Sequence, residues 1–306
     1  MRTLSNIVSA AIAAALLLGT AACGWKSDGG ARLDGLYHPD NGLKDAIADL
    51  GSEEVAPDSP DAAATDVVPT DPGGFDLSPG DVPATGLAGL WAVRIVQLGE
   101  ISPISDAYPI STPDYFLARV DPGAGQMSLT FCDEIPVVDT GDSGLTFVTS
   151  TTPALRDALG KVPVVVTLAD SGASLPAQKI VWTWGLQNLA EADPLPTSGT
   201  DAKVFDQDQD GNPGDTVLVE GLASGKRYMV KRAVWNLAAG TLSGDGTRLS
   251  GTLTYTLDEQ PLGADPSMLA QKTPITPKDG STYLLRRVGD LSCATLLQHV
   301  DEVFAP

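Results

Sequence analysis

Histidine and cysteine are almost missing from this 306-residue sequence, which has 2 His and 3 Cys. His38 and His299 stand far apart, and no cluster of His and Cys has the spacing of a zinc site. Basic residues are scarce too. The chain carries 19 Lys or Arg against 39 Asp or Glu, a net charge of −20 at pH 7, which argues against nucleic acid and against anionic membrane surfaces as partners. Divalent cations and basic partners suit it better. No glycine-rich phosphate loop points to nucleotides, and no apolar run reaches the roughly 20 residues of a membrane-spanning helix.

What is present begins with an export signal. Arg2 supplies a positive start, and Ile7 to Leu18 form an apolar run rich in Ala and Leu, too short to span a bilayer. The run ends in Thr20-Ala21-Ala22-Cys23. This segment resembles the lipobox of bacterial lipoproteins, with Thr20 in place of the commoner Leu. The resemblance implies that residues 1–22 are removed and that the Cys23 thiol carries acyl chains, two of which suffice for stable anchoring. Gly24 follows the cysteine, not the Asp that favours inner-membrane retention in enterobacterial lipoproteins, so the resemblance implies the outer membrane.

Residues 23–86 are poor in aromatics and full of Asp, Pro, Ala, Ser and Gly, with 13 acidic residues against 3 basic ones from Gly24 to Gly86. Such a stretch buries too little apolar surface to offset its chain entropy and reads as a disordered tether. About 60 flexible residues would give an end-to-end distance of roughly 45 Å.

At Leu87 the pattern changes. Apolar and β-branched runs recur between turn signals, at Leu90 to Leu98, Tyr115 to Val120, Met127 to Phe131, Val162 to Leu168, Lys179 to Trp184, Arg227 to Leu237, Leu249 to Leu257 and Tyr283 to Val288. Alternation such as Thr252-Leu253-Thr254-Tyr255-Thr256-Leu257 marks half-buried antiparallel strands. Residues 87–306 are therefore expected to form one all-β domain, an antiparallel meander closed or nearly closed into a barrel, with a β-sandwich as the alternative. Cys293, Leu296, Leu297, Val300 and Phe304 line one face of a C-terminal helix capped by Asp290 or Ser292.

The domain opens on Gly89-Leu90-Trp91 and its last strand carries Arg286 and Arg287 ahead of the helix. This layout resembles lipocalins, and the resemblance implies that Trp91 packs against an arginine of the last strand. A plain core tryptophan is the alternative. With Cys23 given to lipid, Cys132 and Cys293 remain as an even pair in an oxidising compartment, and a disulfide between them is expected.

The most specific chemical signal is Asp206-Gln207-Asp208-Gln209-Asp210-Gly211-Asn212-Pro213-Gly214-Asp215. Alternating Asp places carboxylates on the inside of a tight turn, where they repel unless a hard cation lies between them. The segment resembles the calcium loop of EF-hands and of extracellular repeats of the D-x-D-x-D-G kind. By position, Asp206, Asp208 and Asp210 give side-chain oxygens and Asn212 its carbonyl. Val217 stands where the closing Glu belongs, which leaves Asp215 or Glu220 to complete the shell. A solvated acidic turn is the alternative.

Other groups promise less. Gly141-Asp142-Ser143-Gly144 looks like the nucleophile segment of trypsin-like proteases, but the only upstream histidine, His38, lies in the tether, so a turn is expected. Lys226, Arg227, Lys231 and Arg232 either blunt an edge strand or serve a small anionic ligand. Asp133 and Glu134, adjacent on a strand, point to opposite faces and cannot flank one bond as acid and base. The reading that follows is a lipid-anchored envelope protein whose β domain binds a ligand or envelope protein and uses calcium structurally. An envelope-acting hydrolase and a purely structural or adhesive module are the alternatives.

Overall fold

Alternating side chains make this domain out of strands paired antiparallel, 13 of them in one sheet. In a computed structural model, the structure describes residues 86–102, 106–141, 147–221 and 223–306. The expected signal peptide, Cys23, the expected tether up to residue 85 and the Asp142 to Gly144 part of the expected turn lie outside the described residues.

The strands are β1 (Gly89–Ile101), β2 (Tyr108–Asp121), β3 (Gln126–Glu134), β4 (Val137–Val138), β5 (Phe147–Thr151), β6 (Val164–Thr167) and β7 (Gln178–Trp184). They continue with β8 (Asp215–Gly221), β9 (Gly225–Leu237), β10 (Thr241–Leu242), β11 (Arg248–Asp265), β12 (Ile275–Pro277) and β13 (Thr282–Val288). The main path runs β5-β8-β9-β11-β13-β1-β2-β3-β6, with β7 on β9, β10 on β11, β12 on β1 and β4 on β2. The sheet is strongly curled into a half-barrel, not split into a sandwich. Between β6 and β7 the Gln178 side chain imitates a ladder bond: Thr167 N donates to its Oε1 at 3.0 Å, and its Nε2 donates to Thr167 O at 2.9 Å.

The concave face is filled. Trp91, Val93 and Ile95 of β1, Phe116 of β2, Phe131 of β3, Trp182 and Trp184 of β7 and Trp235 of β9 are all buried in one cluster. Five of the rings interlock, the closest centroids being Trp182 and Trp184 at 5.1 Å, edge to face as aromatic quadrupoles prefer. At one end Trp91 pairs in register with Arg287, whose guanidinium lies 4.4 Å from the indole centre. Arg287 Nη2 also donates to Gly86 O at 2.7 Å, which pins the start of the domain. Gly251 makes room for this packing, since a Cβ there would fall 2.3 Å from the hydroxyl of Tyr283, its cross-strand neighbour.

Helix α1 (Pro153–Gly160) takes its cap from Thr152 and buries Leu155 and Leu159 in the core. The expected C-terminal helix is two pieces, α2 (Cys293–Gln298) and α3 (Val300–Val303), broken at His299, where the backbone leaves helical geometry. Ser292 caps it, not Asp290. Both pieces cover the convex face, where Leu296, Val303 and Phe304 pack with Ala92, Tyr115 and Leu284. The Cys132–Cys293 disulfide joins them to β3, with Cα atoms 5.1 Å apart. No helix among the described residues is long and apolar enough to cross a membrane.

One expectation is corrected by this topology. The strand bearing Lys226, Arg227, Lys231 and Arg232 is not an edge: β9 pairs with β11 on one side and with β7 and β8 on the other. Arg227 and Lys231 point inward and are buried, so they cannot serve as guards against edge pairing.

Candidate metal centre and a buried charge cluster

The acidic loop runs from the long connection after β7 into the start of β8. Gln209 and Gly211 both adopt left-handed backbone (φ 57° and 87°), which lets three alternating Asp curl around one point. Ligand oxygens of Asp206, Asp208 and Asp210 come within 4.8 Å of one another. Part of their charge is met by the loop itself. Asp206 accepts from the Asp210 and Gly211 amides at 3.1 and 2.8 Å, and Asp208 Oδ2 from the Thr216 amide at 3.2 Å. Burial pushes the Asp210 carboxyl up, but hydrogen bonds from Thr216 and Asn212 outweigh it and leave it below the ordinary value. Asp208 is pushed up to about 6, first by burial and then by its negative neighbours, against the pull of the Thr216 amide.

Asp215 adds the observation that loop geometry alone does not supply. It is fully buried, and neither carboxylate oxygen has a hydrogen-bond partner among the described residues. Burial, and then the charges of Asp208 and Asp206, hold its carboxyl well above the usual range. Asp208 Oδ1 is likewise buried and unpartnered. The chain holds Asp215 there through Gly214, whose left-handed backbone passes so close to β9 that a Cβ would lie 2.3 Å from Met229 O. A buried carboxyl near three other acids is costly in its charged form, and either a proton or a cation relieves it. The donor set is all oxygen, which fits calcium and not a thiol- or imidazole-seeking metal. Asp206, Asp208 and Asp210 would hold it, with Asp215 outside that group of three but close enough to feel the charges of Asp208 and Asp206. Asn212 turns its amide onto Asp210 Oδ1 at 3.0 Å, leaving only its backbone carbonyl for the role expected of it. Of the two candidates for the closing position, Glu220 is exposed on β8 and Asp215 is the buried one.

A second cluster lies inside the half-barrel beyond the aromatic layer. Lys231, buried to 1 % exposure, ion-pairs with Glu134 and lies 4.1 Å from the centre of the Trp184 ring. Burial would lower its pKa, yet Glu134, Asp114 and Glu259 together raise it, so the ammonium stays charged. Asp114 is fully buried, and its Oδ2 accepts from Gln97 Nε2 at 2.7 Å. Burial, and then the charge of Glu134, raise its carboxyl well above the usual range. As two bare carboxylates Asp114 and Glu134 would repel; a proton kept on Asp114 gives it a donor for Glu134, within reach. Gln97 relays the network onward by accepting from Trp235 Nε1 at 3.3 Å.

The structure thus brings together Asp206, Asp208 and Asp210 with Asp215 nearby, and it joins Cys132 to Cys293. Asp133 and Glu134 part company: Asp133 holds Arg156 at 2.7 Å and Thr151, while Glu134 turns to Lys231. Sequence reasoning missed Asp114, Gln97 and Glu259. The signal available was polar residues at inward positions of otherwise apolar alternating strands. No protein-family model and no curated protein matches this sequence, so the reading of both sites stands on their own chemistry.

Proposed function

We propose that the chain is a lipid-anchored lipoprotein of the cell envelope, held by Cys23 at the outer membrane. Its β domain acts as a non-enzymatic binding module for a ligand or envelope protein, with calcium bound by Asp206, Asp208 and Asp210. The observation that carries the calcium reading is Asp215: a wholly buried carboxylate with two unpartnered oxygens beside three more carboxylates. The stack of Arg287 on Trp91 supports the lipocalin-like resemblance. The aromatic filling of the concave face speaks against carriage of a large apolar ligand. It leaves the polar end, or the outer surface, as the place of contact.

Hydrolysis, the second reading, gains one observation, the convergence of Asp114, Glu134 and Glu259. Yet Asp114 is fully buried and Glu134 is engaged by Lys231, so neither is free to meet a glycosidic or ester oxygen.

Two measurements test the proposal. Free calcium at 100 times its dissociation constant should stabilise the domain by about 2.7 kcal/mol. Melting should therefore rise with calcium and fall with chelator, and Asp208→Ala with Asp210→Ala should abolish the response. An equal melting temperature in millimolar calcium and in chelator removes the metal. For the anchor, a fatty-acid probe should label the wild type and not Cys23→Ser; labelling that persists in the variant ends the lipoprotein reading.

A further inference from the structure

Between β6 and β7 the sheet has a gap. Among the described residues β6 pairs only with β3 and β7 only with β9, so each turns a free edge towards the other. At the narrow end of the gap the Ala169–Ser174 bridge and the two bonds of the Gln178 side chain to Thr167 stand in for a ladder. Farther along, the backbone groups are left over. Gly185 N, just past β7, donates to the side chain of Gln207, which lines the gap; by alternation the amides of Val181 and Thr183 point the same way and have no strand to pair with. Val165, two residues before Thr167, likewise turns its amide and carbonyl into the gap.

The gap is a groove of about 340 Å³ with an apolar floor, where Leu159 of α1, Val164 of β6 and Ile180 and Trp182 of β7 are buried. On its rim Val162, Val165 and Val181 are 64, 51 and 41 % exposed, so apolar surface left in water gathers here. No acidic side chain is among its described lining residues. Free strand edges beside exposed valines fit an extended chain, whose backbone bonds the edge while alternate side chains fill the floor.

The described chain begins beside this groove. Leu87 N donates to Gly172 O at 3.1 Å and Gly86 lies against Ala173, both at the turn that joins β6 to β7. Going back from Gly86, the first two large apolar residues spaced two apart are Phe75 and Leu77, in Gly73-Gly74-Phe75-Asp76-Leu77-Ser78. This stretch lies outside the described residues and contains no proline to break a ladder. Leu77 is nine residues before Gly86 and Val181 eight residues after Ala173, so an extended chain reaches from Gly86 to the middle of the free edge. A segment on so short a linker has an effective concentration of the order of millimolar, enough for contacts that would not hold a free peptide.

From the two free edges, the apolar floor and the entry point of the chain, we propose that Phe75-Asp76-Leu77 adds to β7 as a strand and closes this side of the half-barrel. Running towards Gly86, the segment is antiparallel to β7, which leads away from the same turn. Phe75 and Leu77 turn inward onto Ile180 and Trp182, and Asp76 faces out on the side of Lys179. Such closure goes beyond the binding module proposed above and depends on neither calcium nor the lipid anchor. It takes the last part of the expected tether into the domain.

The test is hydrogen exchange on the full chain, wild type against Phe75→Ser with Leu77→Ser, substitutions that touch none of the described core. The amides of Val181 and Thr183 should exchange at least about tenfold faster in the variant, with those of β9 and β11 unchanged. Equal exchange at Val181 and Thr183 in the two proteins overturns the docking, as does an equal rise throughout the domain. A photoreactive benzoylphenylalanine in place of Phe75 then identifies the occupant. Cross-links to β6 or β7 within one chain, at a yield independent of protein concentration, are expected. Cross-links between two chains would give the groove to a second copy, and cross-links only to other parts of the domain would put the segment elsewhere; either result overturns the proposal.

Discussion

Lys231 Nζ stands 4.1 Å above the ring of Trp184, its cross-strand neighbour, while the same ammonium ion-pairs with Glu134. Lysine is thereby used as a core residue, its charge met by a carboxylate on one side and a π face on the other. Removing one partner of a buried pair costs about 3–5 kcal/mol, because the other is left uncompensated. Lys231→Met should show a loss of that order in urea unfolding. Adding Glu134→Gln should recover a large part of it, and a double variant that simply sums the two losses would contradict the pairing.

Asp114 sets a pH dependence whose sign can be worked out. Its folded-state pKa is raised by burial above the roughly 3.9 of an unfolded Asp. Its contribution to stability is therefore complete below that value and is lost as pH rises through the folded pKa. Asp114→Asn keeps an acceptor for Gln97 and a donor for Glu134 but has no proton to lose. Relative to wild type, it should gain stability as pH rises from 5 towards 9, by about 1.4 kcal/mol for each unit of pKa elevation crossed. Urea midpoints measured across that range check it.

At Asp215 one substitution should act in opposite directions. In chelator at pH 8, Asp215→Asn removes a carboxyl whose ionisation is disfavoured by burial and by Asp208, and the domain should melt higher than wild type. In saturating calcium it lacks the charge that the cation offsets and should show little of the wild-type gain, which for a domain of this size is roughly 5–10 °C. Scanning calorimetry in both buffers reads the crossover. A variant that melts lower than wild type in both would make Asp215 structural only.

The Cys132–Cys293 bridge spans a sequence separation of 161. Chain entropy puts the stabilisation from a loop of that length at about 5 kcal/mol, with about 2–5 kcal/mol commonly lost on removal of a native bridge. Cys132→Ser with Cys293→Ser should unfold at correspondingly lower urea, and wild type in reductant should follow it.

Much of this architecture is legible in the sequence because period-two alternation survives where one sheet face is buried. The run through Trp91, Val93 and Ile95 and the run through Leu253 and Tyr255 give their strands directly. The alternating Asp of the loop and the leftover pair of cysteines are equally local signals. Arg227 and Lys231 are not legible, because basic residues alternating on a strand look like a solvent face. Only the pairing of β9 on both sides turns them inward, and strand order is a property of the whole chain. Asp114 is hidden for the same reason: its proton depends on Glu134 and Lys231, which come from two other strands. The break at His299 has no Pro or Gly to announce it, and an apolar stripe at helical spacing runs through it unchanged.

The position of β13 governs how this molecule can be made. It is the last of the described strands in sequence, yet in the sheet it lies between β1 and β11 and joins two wings, one built on β1, β2 and β3 and the other on β8, β9 and β11. Until Thr282–Val288 arrives, both wings hold out a long amphipathic strand with unpaired amides, the kind of edge that recruits other chains. A chain stopped short of that strand would leave the edges of β1 and β11 open to pairing with other chains. The keystone is laid last, and Cys293 follows just behind to lock it in place.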